Sequence, residues 1–114
     1  MITVYGIPNC DTVAKARKWL EAEGIKFTFH NFRKDGLDRA TAENWIATLG
    51  VDVVINRRGT TWRKLPVERK ELVGDADAVD LILEFPAMIK RPVFDKGGAL
   101  HVGFKDDARE FVQG

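Results

Sequence analysis

The spacing of apolar positions changes several times along this chain, and each change marks a new element. Thr3 to Tyr5 are β-forming residues, and Gly6 and Pro8 break the strand they begin. From Asp11 the spacing becomes helical. Val13, Ala16 and Leu20, with Trp19 beside them, line one side of a helix over about 11–23. Asp11 or Thr12 is placed to cap it and Gly24 to stop it. Residues 25–32 then alternate, with Ile25, Phe27 and Phe29 opposite Lys26, Thr28 and His30, which is the period of a strand. A strand–helix–strand opening favours parallel pairing through a right-handed crossover.

A second helix is predicted over 38–49, with Trp45, Ile46 and Leu49 inward and Gly50 as its stop. The apolar run 51–55 fits either a strand or one helical turn. Residues 56–64 read as a polar, basic loop. Pro66 is placed to start a short helix to Leu72, and Asp75 or Asp77 to cap another through Phe85, with Val79, Ile82 and Leu83 inward. Pro92-Val93-Phe94, a turn at Asp95 to Gly98 and the alternating Leu100, Val102 and Phe104 make a β-hairpin. Asp106 or Asp107 caps a last helix carrying Phe111 and Val112. The order is β-α-β, a helical middle over about 33–88, then β-β-α. The expected fold is therefore α/β, with a mixed four-stranded sheet. It is the element order of a single thioredoxin-like domain with a helical insertion.

Composition narrows the function. The chain has 114 residues, 45% hydrophobic and 31% charged, with a net charge of +1. No global field favours nucleic acid or a membrane surface. Arg57, Arg58, Arg63 and Lys64 beside Trp62 form a short basic cluster, but Glu68 and Glu71 follow it, and no phosphate-tracking face results. No apolar run is long enough to span a bilayer and no leader is evident, so the expected place is the cytoplasm and the expected state a monomer. One cysteine and two histidines do not supply a metal site. His30 and His101 lie on polar sides of their strands and read as surface residues. Trp19, Trp45 and Trp62 read as packing residues, with Trp62 sheltering the arginine loop.

Cys10 is the one cysteine, between the first strand and the first helix. A thiol there faces unsatisfied N–H groups and the positive end of the helix dipole, and both favour thiolate over thiol. Its flanks, Asn9 and Asp11, are polar and turn-prone, which argues against the deep burial usual for a structural cysteine. Cys10 is therefore a candidate nucleophile. Asn9, Asp11 and Thr12 line its turn. The charge of Asp11 opposes a thiolate, while at a helix start it is an ordinary cap.

Three segments together resemble one family. They are Tyr5-Gly6-Ile7-Pro8-Asn9-Cys10-Asp11-Thr12, Asn56-Arg57-Arg58-Gly59-Thr60-Thr61-Trp62-Arg63-Lys64-Leu65, and Ile89-Lys90-Arg91-Pro92-Val93 followed by Leu100-His101-Val102-Gly103-Phe104. The chain resembles the arsenate-reductase-like family that also holds the Spx-type regulators, and within it the YffB-type branch of glutathione-dependent thiol reductases. The resemblance implies a thioredoxin-like fold and puts Cys10 at the nucleophile position. It makes Arg91 an anion-binding arginine and Pro92 the cis-proline opposite the cysteine. The second-segment arginine is Arg58 by its spacing to Trp62, with Arg57 the neighbouring option.

Two departures shape the expected chemistry. Arsenate reductases of this kind carry a further arginine in the last hairpin, where this chain has Gly103. One fewer cation weakens an oxyanion cradle and argues against arsenate reduction. Spx-type regulators often carry a Cys-x-x-Cys switch, but here the second position is Val13, so that disulfide is impossible. A lone thiol has to form a mixed disulfide that an external thiol resolves. Glutathione is the expected co-substrate, with Arg58 and Arg91 on its carboxylates and backbone beside Pro92 pairing with its peptide. The substrate would be an oxidised thiol or mixed disulfide. The competing expectations are a regulator module that docks on RNA polymerase and, second, an arsenate reductase.

Overall fold

The strand nearest the chain start is the centre of the sheet. In the computed structural model, which describes residues 2–71 and 74–114, β1 (Ile2–Gly6) pairs in parallel with β2 (Phe27–Asn31) on one side. On its other side it pairs antiparallel with β3 (Val93–Lys96), and β3 pairs antiparallel with β4 (Ala99–Val102). The order is β2-β1-β3-β4, a mixed four-stranded sheet flanked by helices with thioredoxin-like topology. Ile2 and Val4 point one way from β1 into a core with Ala16, Leu20, Phe94, Ala108 and Val112.

The crossover helix is α1 (Asp11–Ala22), whose buried face is Val13, Ala16 and Leu20. Trp19 is only partly buried and packs against the core, with its ring 5.9 Å from that of Phe104. After β2 the chain turns at once into α2 (Phe32–Asp35), because Asn31 accepts backbone N–H bonds from Arg33 and Lys34 and caps it. Phe32 therefore closes as a buried helical residue instead of extending the strand.

The middle of the chain is helical: α3 (Arg39–Leu49), α4 (Val51–Val54), α5 (Thr60–Arg63), α6 (Val67–Lys70) and α7 (Asp75–Glu84), then a 3-10 turn at Pro86–Met88. The chain forms two compact units, Met1–Gly36 with Arg91–Gly114, and Leu37–Lys90. In the second unit α3 packs on α7, burying Trp45, Ile46, Leu81 and Ile82, while Leu49 and Leu83 stay half-buried. The run 51–55 divides: its first four residues make the turn of α4, and Ile55 bridges antiparallel to Ile89. The basic loop contains the turn of α5, and Trp62 on it is buried. The predicted helix from Pro66 ends at Lys70; its expected end at Leu72 lies outside the described residues.

The expected caps require correction. Cys10, Gly74 and Lys105 occupy the N-cap positions of α1, α7 and α8 (Asp106–Gln113), and Asp11, Asp75 and Asp106 are their first helical residues. None of these aspartates caps its helix; each places negative charge in the first turn, where the dipole favours it. Gly24 and Gly50 follow α1 and α3 as expected, with φ of 68° and 89°. In the last hairpin, Asp95 and Lys96 continue β3, and Gly97-Gly98 alone turns, held by the Gly98 N–H on Asp95 Oδ1 at 2.8 Å.

Candidate active site

Cys10 is positioned by the close approach of β1 and α1. An ideal Cβ on Gly6 would lie 2.7 Å from Val13 Cγ2, so the strand end must be glycine for the helix to pack there. Ile7 is buried and its carbonyl accepts from the Cys10 N–H at 3.4 Å, closing the turn. Cys10 itself is extended (φ −104°, ψ 123°), and its carbonyl accepts the first helical bond, from the Ala14 N–H at 2.9 Å. The thiol is half-buried and unoxidised, and it makes no capping bond. Asn9, Asp11 and Thr12 around it are exposed.

The antiparallel register brings a second segment to the same end of the sheet. Tyr5 pairs with Val93, so the end of β1 and the start of β3 coincide. Arg91, half-buried, and Pro92, buried, precede Val93, and the bond between them is cis. The Pro92 carbonyl accepts from the Gly103 N–H at 2.8 Å. Gly103 has φ of 93°, a conformation in which arginine would be strained. The missing hairpin arginine is thus matched by a backbone built for glycine.

The histidines also differ from expectation. His30 is half-buried, with Nε2 2.6 Å from the Gly36 carbonyl. His101 is half-buried, its ring 5.3 Å from that of Phe111 and 6.5 Å from that of Phe94, with Nε2 3.6 Å from the Asp107 carboxylate. Their strands are short and partly covered, and alternation alone does not show what covers a face.

Arg57 and Arg58 belong to the other unit. Here they are exposed, and they line an open pocket of about 280 Å³ with Asp52, Ile55, Asn56 and Lys90. Arg57 is paired with the Asp52 carboxylate and stands over the Trp62 ring, 5.4 Å from its centroid. The hydrogen bond from Arg57, and then its charge, hold the Asp52 carboxyl below its ordinary range, with Lys90 adding to the effect. The Arg58 guanidinium has no ion pair among the described residues. Its backbone is fixed by the N–H bond to Asn56 Oδ1 at 3.1 Å. Asp52, Asn56 and Lys90 had no part in the site expected from sequence. Lys90 stands inside the third family-like segment, and the bridge of Ile55 to Ile89, with the Lys90 N–H on the Val54 carbonyl at 2.8 Å, sets it beside the arginine loop. The structure thus gathers Asn9, Cys10, Asp11, Thr12, Arg91 and Pro92 in one unit and Arg57 and Arg58 in the other. Among the described residues, no three metal-binding side chains are grouped to hold an ion, and no helix is long and apolar enough to cross a membrane.

The sequence profile of the ArsC family matches residues 5–111. The chain belongs to the ArsC family. An uncharacterized protein of Haemophilus influenzae is 42% identical over 106 residues, 93% of each chain. The global transcriptional regulator Spx of Streptococcus pneumoniae is 28% identical over 94% of this chain and 81% of its own. Among solved structures, a YffB protein superposes with a TM-score of 0.93 at 42% identity over the whole of both chains. An arsenate reductase (ArsC) related protein from Brucella melitensis gives 0.78 at 47% identity, covering 96% of this chain and 92% of its own. Within the ArsC family this chain has a single cysteine, and family and cysteine together are consistent with a thiol-redox role.

Proposed function

We propose that this protein is a glutathione-dependent thiol–disulfide reductase that works through Cys10 alone. The observation that carries the proposal is the half-buried, uncapped thiol at the N-cap of α1, just past the end of β1 where Tyr5 pairs with Val93 and the Arg91-Pro92 segment enters β3. The helix start supplies N–H groups and dipole for a thiolate. Cys10 thiolate attacks the glutathione sulfur of a mixed disulfide, forming Cys10–S–S–glutathione and releasing the substrate as a thiolate. A second glutathione thiolate attacks the glutathione sulfur of that adduct. The Cys10 thiolate returns and glutathione disulfide leaves. The substrate gains two electrons, two glutathione sulfurs are joined, and protons are exchanged with solvent. Arg91 and Arg58 are the proposed anion-binding arginines; Arg57, already held by Asp52, is the weaker candidate. Asn9, Asp11, Thr12 and Pro92 are proposed to frame the substrate.

The similarity to Spx regulators supports a second reading, a module that docks on RNA polymerase. Arsenate reduction is disfavoured by the backbone at Gly103. Intact mass after incubation with glutathione disulfide separates these readings. One glutathione adduct is expected on the native chain and none on Cys10→Ser, which should keep its fold and lose all turnover with a glutathionylated substrate. A native chain with no adduct, binding a protein partner equally well as Cys10→Ser, would favour the docking module.

A further inference from the structure

Between residues 63 and 70 the chain carries four cations, and three of them are held by the protein itself. Arg63 Nη2 donates to the Arg58 carbonyl at 2.6 Å, Lys70 Nζ donates to the Arg63 carbonyl at 3.2 Å, and Arg69 pairs with Glu84. Lys64 is the exception. It is exposed, it enters no ion pair among the described residues, and it lines a cavity within the 37–90 unit. The other lining residues are Thr60, Thr61, Leu65, Pro66 and Phe85, and the volume is about 320 Å³. The chain turns at the end of α5 to form this hollow: the Lys64 N–H donates to the Thr60 carbonyl and the Leu65 N–H to the Trp62 carbonyl, both at 3.1 Å. Leu65 is buried and Phe85, which ends α7, is half-buried, so the interior is apolar. The apolar surface continues past Pro66 into Val67, which is 68% exposed. A mainly apolar hollow with two hydroxyls and one uncommitted cation has the make-up of a small-ligand site, and its volume is at the small end of the usual range of ~300–1,000 Å³.

We propose that this cavity binds a small organic acid, an apolar body bearing one carboxylate, with Lys64 on the carboxylate and Leu65, Pro66 and Phe85 around the body. The methylene stem of Lys64 covers apolar wall while its ammonium group stays at the wet mouth, where a carboxylate keeps part of its hydration. One cation matches one negative charge; a phosphate carrying two finds no second cation on the lining. The site is independent of the reductase reading, since no thiol lines it.

The test titrates the native chain with 3-phenylpropanoate and follows amide chemical shifts. Shifts should centre on residues 60–65 and Phe85. The neutral 3-phenylpropanamide should bind more weakly, and acetate, with no apolar body, should not compete at equal concentration. Lys64→Met should weaken binding about fivefold, the upper end for an exposed charge pair, and Lys64→Arg should restore it. Thr60→Phe, which fills the cavity from an exposed position, should abolish binding, and Lys26→Met, in the other unit, should leave it unchanged. The same end group occurs on the apolar last residue of a peptide, so N-acetylphenylalanine is titrated beside the free acid. A preference for either upholds the site and names its source. An amide that binds as well as the acid would overturn the proposal, as would acetate or inorganic phosphate that displaces the acid at equal concentration. Shifts centred elsewhere, or equal affinity in native chain, Lys64→Met and Thr60→Phe, would overturn it too. None of these results bears on the Cys10 adduct, because the probe has no sulfur.

Discussion

At the scale of single residues, the turn that presents Cys10 depends on an absence of side chain. Gly6 ends β1 with ordinary strand pairing to Asn31, and what it must avoid is Val13. Gly6→Ala forces a methyl group to within 2.7 Å of Val13 Cγ2, and Val13 is fully buried with nowhere to retreat. The expected cost is about 1–3 kcal/mol, the usual penalty for overpacking a core, read from the urea midpoint. The same variant should slow adduct formation at Cys10, because relief comes from moving α1 away from β1. Gly6 was legible as a place where the strand stops. Its contact with Val13 was not, because no spacing rule reports how closely two backbones approach. Gly103 was legible only as a missing arginine; its positive φ is a property of the hairpin exit.

At the scale of elements, the predicted helices exist, but in α1, α7 and α8 the N-cap lies one residue before the first aspartate that suggested it. The N-cap is decided by where the backbone leaves the extended region, and Cys10 and Lys105 hold that place with extended angles. An aspartate one step later favours the same helix through the dipole, so the two arrangements look alike in sequence. The run 51–55 was ambiguous for a related reason: five apolar-rich positions fit a strand or a turn, and the structure uses both. Between α6 and α7, Arg69 pairs with Glu84 at 2.6 Å. The hydrogen bond from Arg69 holds the Glu84 carboxyl below its ordinary value of 4.5. A carboxyl depressed on folding adds stability above its unfolded value, and that stability is lost as pH falls from about 4.5 through the folded value. Glu84→Gln should therefore lose less stability than the native chain on acidification from pH 5 to pH 3, measured by thermal melts at each pH. The difference should shrink in high salt, since both side chains are exposed.

At the scale of the whole molecule, the sheet joins the two ends of the chain. Ile2 pairs with Lys96, and the core beneath them takes residues from β1, α1, β3 and α8. Phe94 is fully buried in that core, with the Phe104 ring 6.4 Å away. Phe94→Ala should cost about 3–5 kcal/mol in chemical denaturation, a core-cavity penalty. This level was the most legible in sequence, since alternation and helical spacing name the strands and the inward faces directly. The pairing of Ile55 with Ile89, and with it the place of Lys90, was not, because one isolated bridge leaves no periodic trace.

The chain departs from the sheet unit after Gly36 and re-enters it at Arg91. The parallel pairing of β2 with β1 and the antiparallel pairing of β3 with β1 put both crossings at one end of the sheet. They are separated by two strand spacings, about 10 Å. All four strands and every register between them lie outside 37–90. The wiring of the sheet is thus complete without residues 37–90. Exchange of residues 37–90 among relatives would not re-lay a single strand.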